Sequence, residues 1–356
     1  MRLTFKSKLF RLALVALMAP VAVVQAGNPD RAGSAGATEL LLNPWANSSG
    51  WAGANSAGVQ GLEAQFLNVA GTAFTKKTEA VFSHTNYLQG SGMSLNAFGL
   101  TQKVGEAGVL GVSIMSMTFG DIPITTTEQP EGGLGSYTPQ YINMTLSYAK
   151  VFSNSIYGGM AVKIVSESIS NVGTSGLALD AGIQYVTGTN TDRNNIKFGI
   201  ALKNVGTPLK FAGDGLSTRV TAPNTTGSYQ ITVDQRTEGF EMPSLLNIGM
   251  SYDFNVASLS RLTLAGNFTS NSFTNDQYML GLEYGFKEMF MLRGGFSYEK
   301  NIFDVAQRVT VFTGPAAGAT FNLPLGKGGK KFGIDYSFRS TNPFSGVHSF
   351  GIRFTL

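Results

Sequence analysis

Two histidines, His84 and His348, and no cysteine are all this chain offers for histidine or thiol chemistry. Transition-metal sites gather three or four His, Cys or carboxylate ligands, and a hydroxyl or thiol nucleophile needs a base beside it. Both histidines share parity with apolar neighbours, His84 with Phe82 and His348 with Phe350 and Ile352. An aromatic ring at a membrane interface is the plainer role for such a residue. A barrel phospholipase would need a serine, a histidine and an orienting polar group together, and the sequence does not place them so. The cluster Gly132-Gly133-Leu134-Gly135 does not sit between a strand and a helix, so it is no phosphate loop. No catalytic residue, metal or cofactor is expected, and the chain does not read as an enzyme.

The remaining ionisable side chains recur at every second position, opposite apolar residues. The last ten residues show the pattern: Phe350, Ile352, Phe354 and Leu356 fall on one parity, and Ser349, Gly351, Arg353 and Thr355 on the other. A strand has a side-chain period of two, so this end of the chain predicts a closing strand with lipid on one face and a polar lumen on the other. By the same parity the lumen receives Lys163, Glu167, Asp180, Lys197, Lys203, Asp253, Arg261, Arg293, Glu299, Asp335, Arg339 and Arg353. Both signs are present, so the charges are expected to pair across the barrel. That favours a salt-bridged, plugged interior over a permeation path. A site for an apolar ligand would instead be largely apolar.

Composition points the same way. Charged residues make up 13% of the chain, with 44 glycines and 25 phenylalanines, against about 25% charge in an ordinary soluble domain. Beyond the first residues no apolar run reaches the roughly 20 residues of a membrane-spanning helix. A closed sheet satisfies its backbone internally while dispersing apolar side chains, so a transmembrane β-barrel fits better than a soluble β-sandwich or β-helix. Arg2, Lys6, Lys8 and Arg11 precede an apolar run over residues 12–24, and Val24-Gln25-Ala26 supplies small residues for cleavage. Residues 1–26 therefore read as a secretory signal peptide rather than a retained anchor. Without it, 22 basic residues balance 22 acidic ones. The basic pI belongs to the precursor and implies no nucleic-acid partner.

Alternating segments of about ten residues recur from residue 79 onward, and about fourteen can be drawn, an even number as single-chain bacterial barrels have. The first, over 79–88, is expected to pair with the last and close the barrel. Short links such as Ser153-Asn154-Ser155 read as periplasmic, and the long ones, 120–140, 206–241 and 300–307, as extracellular. Segment 206–241 reads as an ordinary surface loop, with a lid over the mouth as the alternative. Residues 27–78 do not alternate. They hold both tryptophans and the small-residue series 50–58, which allows close backbone approach. They read as a plug in the lumen; Leu40-Leu41-Leu42 argues against a disordered extension. The expected organisation is signal peptide 1–26, plug 27–78 and barrel 79–356.

Three segments carry a family resemblance. Gly33-Ser34-Ala35-Gly36-Ala37-Thr38-Glu39-Leu40-Leu41 resembles the mature N-terminus of the PorV/PorQ family of Bacteroidota outer-membrane proteins. Glu63-Ala64-Gln65-Phe66-Leu67-Asn68-Val69-Ala70-Gly71 is similar to the Asn-Pro-Ala-Gly box shared with FadL-type transporters, with Val69 where proline is usual. Phe198-Gly199-Ile200-Ala201-Leu202-Lys203-Asn204-Val205-Gly206 resembles the family's Leu-x-Asn-x-Gly strand end. The resemblance marks Asn68, Ala70 and Gly71 in the plug, and Asn204 and Gly206 in the barrel, as motif residues. It implies a FadL-like fourteen-stranded barrel in the outer membrane of a Gram-negative bacterium. It also implies a non-catalytic role in type IX secretion, with the translocon, cargo bearing C-terminal secretion domains and a surface sortase as partners besides lipid. A FadL-like transporter of hydrophobic small molecules is the other function implied.

Overall fold

A computed structural model describes residues 27–187, 195–221, 229–326 and 329–356; the expected signal peptide lies outside them. The strands, in chain order, begin with β1 (Thr78–Asn86), β2 (Ser94–Val104), β3 (Gly108–Thr118), β4 (Ile122–Pro123), β5 (Ser136–Tyr137) and β6 (Gln140–Val151). Then come β7 (Ile156–Ile169), β8 (Val172–Thr187), β9 (Ile196–Gly206), β10 (Ser217–Thr221), β11 (Gln230–Asp234) and β12 (Leu245–Ala257). The chain ends with β13 (Ser260–Asn271), β14 (Gln277–Phe286), β15 (Phe290–Glu299), β16 (Phe312–Pro324), β17 (Lys331–Thr341) and β18 (Val347–Thr355). Fourteen of these form one closed barrel, while β4–β5 and β10–β11 are separate two-stranded hairpins.

Every barrel neighbour is antiparallel, and β1 pairs with β18 from Glu79↔Thr355 to Asn86↔His348, which closes the sheet as the parity of the last strand requires. Closure leaves no barrel strand with an unpaired edge. The outer surface is apolar: Phe350 is 55% exposed, Ile352 41%, Phe354 47% and Leu356 48%. Arg353 turns inward to Asp335. A contiguous apolar band of this kind is the lipid-facing surface of a transmembrane barrel. His84 and His348 lie on the outward parity, where His348 Nδ1 is 2.9 Å from the Tyr336 hydroxyl and His84 Nδ1 is 2.8 Å from Asn96 Oδ1.

Loop length alternates around the barrel. The long connections 119–139, 207–244 and 300–311 share one end, called the mouth here, and turns such as 105–107 and 258–259 share the other. Long loops face outside in barrels of this type. Segment 206–241 is neither a bare loop nor a full lid. Its base folds onto the barrel through bridges Gly173↔Ala212 and Leu209↔Phe240, with Leu209 fully buried, and its tip carries the exposed β10–β11 hairpin.

Residues 27–77 thread the lumen from the mouth to the turn end. Asn28 N donates to Asn271 O at the mouth, and Lys103 N donates to Lys77 O at the other end. Between them lie a helical turn, Ala46–Ser49, a second, Ala64–Leu67, and a 3-10 segment, Val69–Phe74. The plug is two-sided. Ala37, Leu40, Trp45 and Leu62 pack against Val81, Leu95, Met115, Met117 and Val165 on the wall formed by β1 to β7. Its polar residues reach both walls: Ser56 Oγ donates to Asn267 Oδ1 of β13 at 2.5 Å, and Gln65 Nε2 donates to Ser147 Oγ of β6 at 2.7 Å. The clearance comes from wall glycines as much as from the small residues 50–58. A Cβ on Gly281 would stand 2.7 Å from the Trp51 ring, and one on Gly295 2.3 Å from the Trp51 carbonyl oxygen.

Candidate functional site in the barrel lumen

Asn68 is the pin that seats the plug. It caps the Val69–Phe74 segment by accepting from Ala70 N at 3.2 Å, which Val69 in place of proline does not prevent. Its amide also donates to the Ile183 carbonyl of β8 at 3.1 Å. The wall makes room by omitting side chains: a Cβ on Gly182 would stand 2.2 Å from Asn68 Oδ1, and one on Gly199 2.9 Å from Asn68 Nδ2. Ala70 is fully buried, and a Cβ on Gly71 would stand 2.2 Å from the Val59 carbonyl oxygen. The box therefore consists of residues that let two backbones meet.

Asn204 and Gly206 mark a bulge where the β8–β9 register shifts between Leu179 and Ala181. Asn204 has φ 58°, the left-handed region that asparagine tolerates better than most residues. Its N–H donates to Asp180 Oδ1 at 2.8 Å, and Lys163 Nζ donates to Asn204 Oδ1 at 2.7 Å. Lys163 Nζ also meets Asp180 Oδ2 at 2.5 Å, with both side chains 3% exposed. Gly206 lies under Met242, whose sulfur would stand 2.6 Å from an added Cβ. The strand-end motif thus folds around a buried ion pair, a role its sequence did not disclose.

The lumen charges do pair, but not across the barrel. The pairs join neighbouring strands: Lys197 of β9 to Asp253 of β12 at 2.6 Å, Arg261 of β13 to Glu283 of β14 at 2.9 Å, and Arg293 of β15 to Glu283 at 2.8 Å. Arg353 of β18 meets Asp335 of β17 at 2.9 Å. The plug fills the space between opposite walls, so each side chain satisfies its charge within its own reach. Thr320 links the two halves of this belt, accepting from Arg293 Nη2 at 2.7 Å and donating to Asp335. Asn47 of the plug ties in, donating to Asp335 Oδ1 at 3.1 Å. Four expected lumen charges stand outside both this belt and the Lys163–Asp180 pair. Lys203 sits 3.9 Å from the Phe66 ring centroid and Arg339 3.8 Å from that of Phe312. Glu299 accepts from Gln277 at 2.9 Å, and Glu167 Oε1 is buried without a hydrogen-bond partner.

Glu63, which parity could not flag, is buried in the plug and accepts from Ser48 N at 2.8 Å. Burial pushes its carboxyl up to about 7, against the pull of Arg353. A carboxyl whose folded-state pKa is raised contributes stability below its unfolded value near 4.5 and loses it as pH rises through about 7. Glu63→Gln is therefore expected to raise the thermal midpoint of the plug at pH 8 and to leave it unchanged at pH 4.5. Melts followed by tryptophan fluorescence check this, because Trp45 and Trp51 both lie in the plug.

Among the described residues, two cavities bear on function. One of about 330 Å3 lies toward the turn end among Glu63, Lys197, Asp253 and Arg261, and is polar. The other, about 540 Å3, lies toward the mouth between plug and wall. Leu41, Leu42, Phe66, Met117, Phe119 and Met279 give part of it an apolar lining, while Lys203, Arg339, Glu39, Glu299 and a row of Asn and Thr side chains stand in the rest of its wall. Its volume falls in the range of small-molecule sites, with more polar surface than such sites usually carry. Sequence parity missed it because more than a third of its lining belongs to the plug, residues 32–67, which do not alternate.

No protein-family model matches this chain, and no curated protein matches it in sequence. Solved structures do. The Pseudomonas putida toluene transporter TodX aligns with a TM-score of 0.56 at 11% identity, covering 88% of this chain and 97% of that one. The CymD monoaromatic hydrocarbon channel aligns at 0.55 and 14% identity, covering 89% and 98%. The Ralstonia pickettii toluene transporter TbuX aligns at 0.53 and 12%, covering 88% and 98%. At these identities the likeness is one of fold, and the chain has the FadL-like barrel architecture.

Proposed function

We propose that this protein is an outer-membrane transporter of small hydrophobic molecules, and that the chamber at the mouth is where they first bind. The chamber is the observation that carries the reading. Its volume of about 540 Å3 and its Leu, Met and Phe lining suit a compact apolar body. The belt of paired charges, which would repel such a body, lies on the turn side against the plug. Two toluene transporters and a monoaromatic hydrocarbon channel share the fold, which supports the class of cargo. Lys203 and Arg339, in a wall that also holds Glu39 and Glu299, leave room for a polar end on the ligand. Toluene and benzoate separate these two chemistries. Deletion of the gene is expected to slow uptake of at least one of them by whole cells; unchanged uptake of both contradicts the reading. Leu42→Asp, which sets a charge in the chamber wall, is expected to reduce the same uptake about tenfold, the effect of losing ~1.4 kcal/mol of binding.

A second reading, a type IX secretion component, rests on the motifs around Asn68 and Asn204 and on the two exposed mouth hairpins. Those hairpins present Val220 and Ile231 on one and Ile122 on the other to solvent, as surfaces for the translocon, cargo or a sortase. Deletion followed by fractionation tests it. Cargo with C-terminal secretion domains should lose its surface location, and normal display of that cargo contradicts the role.

A further inference from the structure

The N-terminal end of the thread is held at the mouth by a built site. Gly27 N donates to Asp276 Oδ2 at 2.9 Å in a partly buried setting. A Cβ on Gly27 would stand 2.8 Å from the Thr274 carbonyl oxygen and 2.9 Å from both Asp276 N and Asp276 Oδ1. The turn between β13 and β14 is therefore a cup that only glycine enters. The residues that follow are fastened too. The Arg31 guanidinium lies 4.2 Å from the Phe273 ring centroid and pairs with Glu241 at 2.9 Å. Gly36 N donates to the Glu241 carbonyl at 2.9 Å. Ala32, Gly33 and Ala35 then form part of the chamber wall.

The residue in the cup is also the one that cleavage after Ala26 would leave first. In the precursor its nitrogen is an amide with one N–H to give. Hydrolysis of the Ala26–Gly27 bond by an export peptidase adds water across that bond, leaving a carboxylate on Ala26 and an amine on Gly27. The amine is largely protonated at neutral pH, and as an ammonium it brings charge and further donors to the carboxylate it already faces. Charge-assisted hydrogen bonds are roughly twice as strong as neutral ones.

We propose that Asp276 and the 272–276 turn form a binding site for the α-ammonium of the processed chain, so that removal of residues 1–26 creates the charge that fastens the thread over the chamber. The occupant is the chain's own terminus. Only the consequence for the chamber rests on the transport reading, and failure of toluene or benzoate uptake leaves the docking site itself untouched.

The test uses full-length protein processed in cells, extracted in detergent and exposed briefly to acetic anhydride at neutral pH, with acylation read peptide by peptide in a mass spectrometer. The N-terminal peptide is expected to begin at Gly27. Its α-amine is expected to acylate about tenfold more slowly than the same amine in Asp276→Asn and in Gly27→Ala, the protection of ~1.4 kcal/mol of docking. Lys163, buried in the barrel wall, should stay protected in all three and so reports that the variants are folded, while Lys76, exposed at the opposite end of the barrel, should acylate equally and so normalises the dose. A chain beginning at any other residue, or equal α-amine rates in wild type and both variants with Lys163 protected and Lys76 unchanged, overturns the proposal.

Discussion

Asp180→Ala is expected to destabilise the folded barrel by about 3–5 kcal/mol, the cost of leaving one member of a buried ion pair without its partner. Lys163 and Asp180 are both 3% exposed and meet at 2.5 Å, so no solvent can replace the lost carboxylate. The damage extends beyond the pair, because Asp180 also accepts the N–H of Asn204. Asn204 in turn accepts from Lys163 and donates to the Pro243 carbonyl at 3.1 Å, the point where the long mouth loop returns to the wall. Urea unfolding in detergent micelles, followed by far-UV circular dichroism, measures the effect. A double substitution, Lys163→Met with Asp180→Leu, removes both charges and is expected to recover most of the loss. An equal loss in single and double variants would mean that hydrogen bonding to Asn204, rather than the charge, holds the bulge.

Gly182→Val is expected to unseat the plug while leaving the barrel closed. Its first added carbon would stand 2.2 Å from Asn68 Oδ1, and Asn68 is backbone-locked to Ala70 and cannot swing away. The wall itself is held by unbroken β7–β8 pairing and by β8–β9 pairing on both sides of the Leu179/Ala181 bulge, which a valine in a strand does not oppose. The probes separate the two bodies. Trp45 and Trp51, 2% and 3% exposed, are both in the plug, so their emission should shift to the red while the far-UV spectrum keeps its strand signal. Planar-bilayer conductance should rise well above that of the wild type. Gly71→Val, which crowds the Val59 carbonyl within the plug and Gln184 of the wall, should do the same from the plug side.

The barrel was legible because lipid tests every outward residue. Where a face must be apolar, period two is imposed along most of each strand, and it survives in strands as different as 350–356 and 177–185. Closure followed from the same parity. The thread was half legible: small residues and tryptophans showed that 27–78 belonged inside something, but the direction of threading did not follow from composition. That Gly27 reaches the mouth depends on a cup formed by residues nearly 250 positions away.

Partners within the lumen were less legible still. Parity says that Arg293 and Asp335 face inward, and the local register decides that Arg293 meets Glu283 while Asp335 meets Arg353. Glu283 is masked in sequence by the apolar row of its own strand, Tyr278 to Phe286, which dominates the pattern. Glu63 went unread inside a motif valued for Asn68. The chamber could not be read at all, since Leu42 and Met117 are 75 positions apart in sequence and meet only because the plug turns its apolar side toward β1 to β7.

Ligand entry through the chamber is tested most directly by flux in a purified system. Wild type, Leu42→Asp and plug-displaced Gly182→Val would be reconstituted in lipid vesicles, and influx of labelled toluene and labelled benzoate followed against protein-free vesicles. Protein-dependent influx of at least one compound, lost in Leu42→Asp, is the predicted result. Influx no faster than through protein-free vesicles for both compounds, from protein whose plug fluorescence is native, would contradict it.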